Sequence, residues 1–195
     1  TASLGKLLRS KNVNYHLYAE DTQIWIPCEP SDITSAATRL ENCIAAIRSW
    51  MNQHQLKLND DKTEFLIISG SPSQASSVSV QIGDHQIVPS STARNLGVVM
   101  NSEATMYAHV SSICKSSYMH IHNIGKIKRF LNQSSLERLI HAFITTKLDY
   151  CNSLLCGAPL KLINKLQRIQ NVAARMLSGT NVREHITPVL QSLHW

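Results

Sequence analysis

The sequence has no apolar run approaching the roughly 18 residues that a membrane span requires. Residues 1–14 carry basic side chains but no apolar core of a signal peptide. Cysteine is sparse and scattered. Cys28, Cys43, Cys114, Cys151 and Cys156 form no CxxC pair, and their odd number does not suit a disulfide framework. That pattern fits reduced intracellular thiols, not a secreted scaffold or a zinc site. No block of about five to eight clustered basic residues marks nuclear import, so an intracellular chain, nuclear or cytoplasmic, is all that follows. Internal repeats are absent. Acid is scarce at one end. After residue 110 only Glu137, Asp149 and Glu184 face eleven Lys/Arg, a net +8, whereas residues 1–110 hold ten acids and eight bases, a net −2. A basic half of this kind suits a polyanionic partner or a merely solvated bundle.

What is present is ordinary for a water-soluble protein, 43% apolar and 16% charged over 195 residues, room for one full domain or two small ones. Leu4, Leu7 and Leu8 recur at helical spacing, and that helix starts abruptly, as in a fragment. Residues 13–26 are rich in aromatic and branched side chains on either side of Glu20 and Asp21, which reads as a tight hairpin with both acids at its tip. Pro27 and Pro30 break it. Ser31 is placed to cap an amphipathic helix through Ile33, Ala37, Leu40, Ile44, Ile47 and Met51, with Arg39, Glu41 and Arg48 on a solvated face. Phe65-Leu66-Ile67-Ile68 reads as a buried strand after a polar turn at 59–62, followed by a Ser/Gly/Pro loop at 69–77. A second hairpin turns at Gly83-Asp84, and Asn95 to Met100 reads as a further strand. From about Ala104 the pattern is wholly helical. Ser134 or Ser135 is a candidate cap, Pro159 a candidate first helical residue and Gly179 a helix end. The expected organisation is α+β over residues 1–105 and all-α over 106–195, because the charge shift and the composition shift fall together.

Adjacent carboxylates on a hairpin are suited to Mg²⁺, which takes hard oxygen ligands and needs only one or two protein carboxylates where substrate phosphates supply the rest. The same pair also suits a solvated turn.

Tyr18-Ala19-Glu20-Asp21-Thr22-Gln23 resembles the Tyr-Ala-Asp-Asp-Thr-Gln box of non-LTR (LINE-type) retrotransposon reverse transcriptases. Further blocks follow in the same order. They are Ala46-Ile47-Arg48-Ser49-Trp50-Met51 with Leu56-Lys57-Leu58-Asn59 and Asp61-Lys62-Thr63-Glu64-Phe65-Leu66; Asn95-Leu96-Gly97-Val98 with His109-Val110; Leu148-Asp149-Tyr150-Cys151-Asn152-Ser153; Leu166-Gln167-Arg168-Ile169-Gln170-Asn171; and His185 to Trp195. The resemblance covers essentially the whole chain. It implies a partial palm with antiparallel hairpins and a long helix, then an all-α thumb. It implies an RNA-directed DNA polymerase that transfers a nucleotide to a primer 3′-hydroxyl with two Mg²⁺ ions. Glu20 and Asp21 would be the metal-binding carboxylates, and Lys62 a proton donor to pyrophosphate. Asn95, Leu96 and Gly97 would lie in the primer-gripping strand. Lys115, Lys126, Lys128 and Arg129 would meet the phosphates of an RNA–DNA or DNA duplex.

The sequence departs from the family in two respects. Glu20 stands where the family has the first Asp, so its carboxylate lies one methylene further out, and a displacement near 1 Å costs on the order of a hundredfold in rate. In the family's order, the fingers and the strand bearing an earlier catalytic Asp precede the point where these residues begin. The expectation is therefore a polymerase fragment, inactive alone and missing its upstream fingers and palm segment. The alternatives are a non-catalytic nucleic-acid-binding module or a non-functional remnant.

Overall fold

The computed structural model describes residues 2–69 and 78–195; of the Ser/Gly/Pro loop read at 69–77, all but Ser69 lies outside them. The fold is α+β, with three separate two-stranded antiparallel hairpins and a majority of helix among the described residues. The chain divides into two compact units, Thr1–Ala93 and Arg94–Trp195. That division precedes the composition shift near residue 105, because the strand after Gly97 packs on the first long helix of the basic half.

In the first unit, helix α1 (Ala2–Ser10) buries Leu4 and Leu8, one turn apart. Strands β1 (Asn14–Tyr18) and β2 (Asp21–Trp25) form a hairpin in which Tyr15 faces Ile24 and Leu17 faces Thr22. Its inner residues Tyr15, Leu17 and Ile24 join Leu4, Leu8, Val13, Cys43 and Ile47 in one core. Cys43 and Ile47 come from helix α2 (Ile33–Gln53). Burial pushes the Cys43 thiol up, so it packs there as a small apolar group. Ala37 of α2 lies in a second core with Val80 and Ile82, from the hairpin of β3 (Val80–Ile82) and β4 (His85–Ile87). A two-stranded hairpin is marginal alone in water, and here α2 supplies the apolar surface for two of them.

Several expectations change in this unit. Ser31 does not cap α2: a tight turn at Pro30–Asp32 runs straight into the helix, and the Ser31 hydroxyl donates instead to Asp32 Oδ1 at 3.2 Å. The polar face of α2 is not merely solvated. Arg39 donates to the Asn12 carbonyl at 3.0 Å, Glu41 accepts the Gln81 backbone N–H at 2.7 Å, and Arg48 meets Asp60 Oδ1 at 2.6 Å. Residues 65–68 form no strand. Phe65 accepts one hydrogen bond from the Ser90 N–H at 2.8 Å, Ile68 is about half exposed, and among the described residues no strand pairs alongside. Apolar composition alone does not make a ladder without a partner edge.

In the second unit, β5 (Thr92–Asn95) and β6 (Val98–Asn101) form a hairpin, so the expected single strand at 95–100 is two strands joined at Leu96-Gly97. Both turn residues have positive φ, 46° and 84°, the sign pattern of a type I′ turn. Helices α3 (Tyr107–Ile127), α4 (Gln133–Ile140) and α6 (Leu160–Ser178) bury one continuous core. Asn132, not Ser134 or Ser135, caps α4 by accepting the Ser135 N–H at 2.8 Å. A π turn at His141–Thr145 joins α4 to α5 (Thr146–Asp149). Pro159 stands just before α6 rather than inside it, and Gly179 ends that helix in the left-handed conformation, φ 72°. A short α7 (Thr187–Ser192) follows, and Trp195 rests edge-on against His141. Among the described residues no helix is long and apolar enough to cross a membrane.

Two substitutions in this core have opposite expected signs. Ile140 is fully buried, and Ile140→Ala is expected to remove about 2–5 kcal/mol of stability. The Ser117 hydroxyl is buried with no partner, and Ser117→Ala is expected to add about 1 kcal/mol. Urea unfolding of the intact chain checks both.

Candidate functional site

The loop of the first hairpin is Ala19-Glu20, a two-residue turn closed by the pair Tyr18–Asp21. The expected tip therefore shifts by one residue: Glu20 lies in the turn, but Asp21 is the first residue of β2. Only Ala19 of the turn has positive φ, 51°, which is the sign pattern of a type II′ turn, where Gly is favoured. Pairing the strands directly across such a short loop fixes the backbone that carries both carboxylates. Glu20, Asp21 and Tyr18 are all exposed, and among the described residues neither acid has an ion-pair partner. No group of three or more His, Cys, Asp or Glu able to hold a metal occurs among the described residues. Two carboxylates on adjacent residues do not by themselves fit a pair of Mg²⁺ ions, which requires ligands around both metals.

Lys62 ends the tight turn Asp60–Lys62 and is exposed. The Arg48–Asp60 pair holds that turn against α2, and no described hydrogen bond joins Lys62 to Glu20 or Asp21. Asn95 closes β5, and Leu96-Gly97 is a turn instead of the expected strand. Its carbonyl end is fixed from the helical segment: Tyr150 Oη donates to the Leu96 carbonyl at 2.5 Å, and the Tyr150 ring lies where a Gly97 side chain would go, 3.4 Å from an ideal Cβ.

The four basic residues singled out in the sequence fare differently. Lys115 and Lys126 are both exposed on α3. Eleven residues is just over three full turns, so they lie about 20° apart around the helix and about 16 Å apart along it. Exposed Tyr118, Met119 and His122 lie on the same side. Arg129 is exposed, with its guanidinium 4.6 Å from the centre of the highly exposed Phe130 ring. Lys128 is not a free surface cation. It is half-buried and donates to the Met176 carbonyl at 2.7 Å, while Gln133 donates to the Leu177 carbonyl at 3.1 Å. Together they satisfy the orphan carbonyls that end α6.

The structure adds a group that the sequence reading missed. Lys147 Nζ donates to Ser116 Oγ and lies 3.1 Å from His120 Nε2. His120 stacks on Phe143 with ring centres 4.9 Å apart. The signal was available as two four-residue spacings, 116/120 on α3 and 143/147 across the π turn. Elsewhere in this unit a hollow of about 450 Å³ is lined by Asp149, Asn152, Gln167, Gln170 and Trp195, among others. None of the residues expected to act in the site lies there.

No protein-family profile matches the chain, and neither the curated proteins nor the solved structures give a significant match.

His109 anchors the β5–β6 hairpin: the buried ring accepts the Val99 N–H on Nδ1 at 3.4 Å. Burial lowers its pKa, and burial followed by the nearby Lys147 lowers that of His120. A histidine depressed on folding binds its proton more readily when unfolded. Its contribution is therefore complete above about pH 6.5 and is lost as pH falls through the folded value. The unfolding free energy of the intact chain is expected to hold above about pH 7 and to decline below about 6.5, by up to about 1.4 kcal/mol per pH unit for each group. His109→Gln is expected to make the decline shallower in urea titrations across that range. An unchanged slope would show that His109 is not the group responsible.

Proposed function

We propose that this chain is part of a reverse-transcriptase-type polymerase, residues 1–105 corresponding to the palm and 106–195 to the thumb, and that its own activity is binding a nucleic-acid duplex. The observation that carries the reading is the Tyr18–Asp21 hairpin. It holds two exposed carboxylates at the end of a short, tightly closed ladder, within a series of sequence blocks that follow the order of that family. Catalysis is a different matter. The described residues bring no third carboxylate to the hairpin, so no step is assigned to a metal here. Glu20 and Asp21 are the groups that would contribute to such a centre if further ligands joined them.

The basic second unit supports the binding half of the reading. α3 contains no acid, and its outward side carries Lys115 and Lys126 interleaved with Tyr118 and Met119. Duplex affinity is dominated by cations that meet phosphates. The same surface also supports a plainer reading, a non-catalytic nucleic-acid-binding module, which shares the binding prediction and differs only in lacking any role for the hairpin.

Fluorescence anisotropy of a labelled RNA–DNA hybrid tests the binding. Affinity is expected to fall steeply between about 50 and 200 mM salt. The triple variant Lys115→Ala/Lys126→Ala/Arg129→Ala is expected to reduce the magnitude of the log–log salt slope by about 1 for each lost phosphate contact. Lys128 is left out because it supports the end of α6. No binding at low salt would overturn the proposal. Primer extension tests catalysis: the chain alone is expected to incorporate no nucleotide, and incorporation abolished by Asp21→Asn would show that the hairpin acts without further ligands.

A further inference from the structure

In an α-helix a step of four residues overshoots one turn by about 40°. Leu136, Ile140 and Ile144 are nonetheless all buried in the same core, each four residues after the last. The π turn at His141–Thr145 takes up the drift, because in its wider winding the step from Ile140 to Ile144 falls short of a full turn and offsets the overshoot of the step before it. The adjacent column is kept in line as well, so Phe143 and Lys147 both face α3, at His120 and Ser116 respectively. Single π turns of this kind recur at functional sites.

The electrostatics of the group are unusual. Lys147 is half-buried, and its two acceptors are uncharged: a serine hydroxyl and an imidazole held neutral by its surroundings. No described carboxylate neutralises it. Glu137 lies beside His141 at 3.8 Å, Asp149 lines the hollow near Trp195, and neither α3 nor α6 contains an acid. Two of the three ammonium hydrogens can be directed to fixed neutral partners, which orients the cation without cancelling its charge. The remaining donor, the Ser116 hydroxyl and the partly exposed Phe143 face form a small cationic and aromatic surface.

We propose that Lys147, Ser116 and His120 form a seat for one phosphate group of a nucleic-acid strand, with Phe143 beside it to meet the adjoining base or sugar. This rests on the duplex-binding reading above and gives it a specific contact point on the flank of α3 next to Lys115.

The test follows the Lys147 side-chain and His120 ring signals by NMR in the intact chain, first with inorganic phosphate and then with a short RNA–DNA hybrid. Both ligands are expected to move these signals saturably. Lys147→Met is expected to abolish the phosphate response and to weaken hybrid binding about five- to tenfold, and Lys147→Arg to restore most of it. Ser116→Ala, a smaller change, is expected to weaken the phosphate response should Lys147→Met fail to fold. Signals unmoved by either ligand overturn the seat. Hybrid binding unaffected by Lys147→Met or Ser116→Ala overturns the seat and leaves duplex binding standing. A saturable phosphate response without any hybrid binding overturns both the nucleic-acid source and the duplex-binding reading.

Discussion

Every strand among the described residues belongs to a hairpin of only two strands, and none of these hairpins extends another. Such a unit cannot bury enough on its own faces to persist in water, so each depends on a helix. β1–β2 rests on α1 and α2, β3–β4 on the other side of α2, and β6 on α3. The dependence explains why α2 carries buried side chains in two directions. Ala37 leaves room for Val80 and Ile82, while Cys43 and Ile47 close over Leu4 and Leu8. It also explains why the candidate carboxylates, although exposed, are well placed: their ladder is short, but its inner face is anchored in a helical core.

The charged residues of the long helices follow from the same constraint. Short hairpins and helix ends leave backbone donors and acceptors without partners, and such groups need satisfying wherever they are shielded from water. Glu41 serves the N–H of a strand residue, Arg39 a carbonyl in the turn after α1, and Lys128 with Gln133 the last carbonyls of α6. Charge in this protein is therefore of two kinds that sequence alone does not separate: side chains that tie backbone together and side chains left in solvent.

That distinction marks the limit of what the sequence could reveal. Helices were legible from apolar spacing, because burial of one stripe forces a 3.6-residue period, and the ends at Gln53 and Gly179 were as expected. The first two hairpins were legible from composition and from Gly83-Asp84. The third was missed because Leu96 occupies a positive-φ position usually given to Asn, Asp or Gly, so that Asn95 to Met100 looked continuous. Residues 65–68 were read as a strand from side-chain character, although a ladder depends on a neighbouring edge that composition does not encode. Lys128 and Lys126 are indistinguishable by sequence, and only the packing of α3 beside the end of α6 assigns one to a helix cap and leaves the other in solvent. The Lys147 group was hidden for a similar reason: a π turn leaves no mark in the apolar period except a run of four-residue steps.

The +8 balance of residues 111–195 therefore overstates the free positive charge, but it does not mislead about sign. Lys128 and Arg175 are engaged with backbone carbonyls, the latter with those of Asn181 and Glu184. Even so, their charge is not cancelled, because a carbonyl neutralises nothing. The same is true of Lys147 against serine and neutral histidine. Cations fixed by dipoles instead of carboxylates, as these three are, keep their positive field while gaining a defined geometry. Carboxylate pairing would have stabilised the side chains equally well and removed the attraction. Dipole-held cations have their orientation set in advance, and no internal ion pair would have to break on meeting an anion.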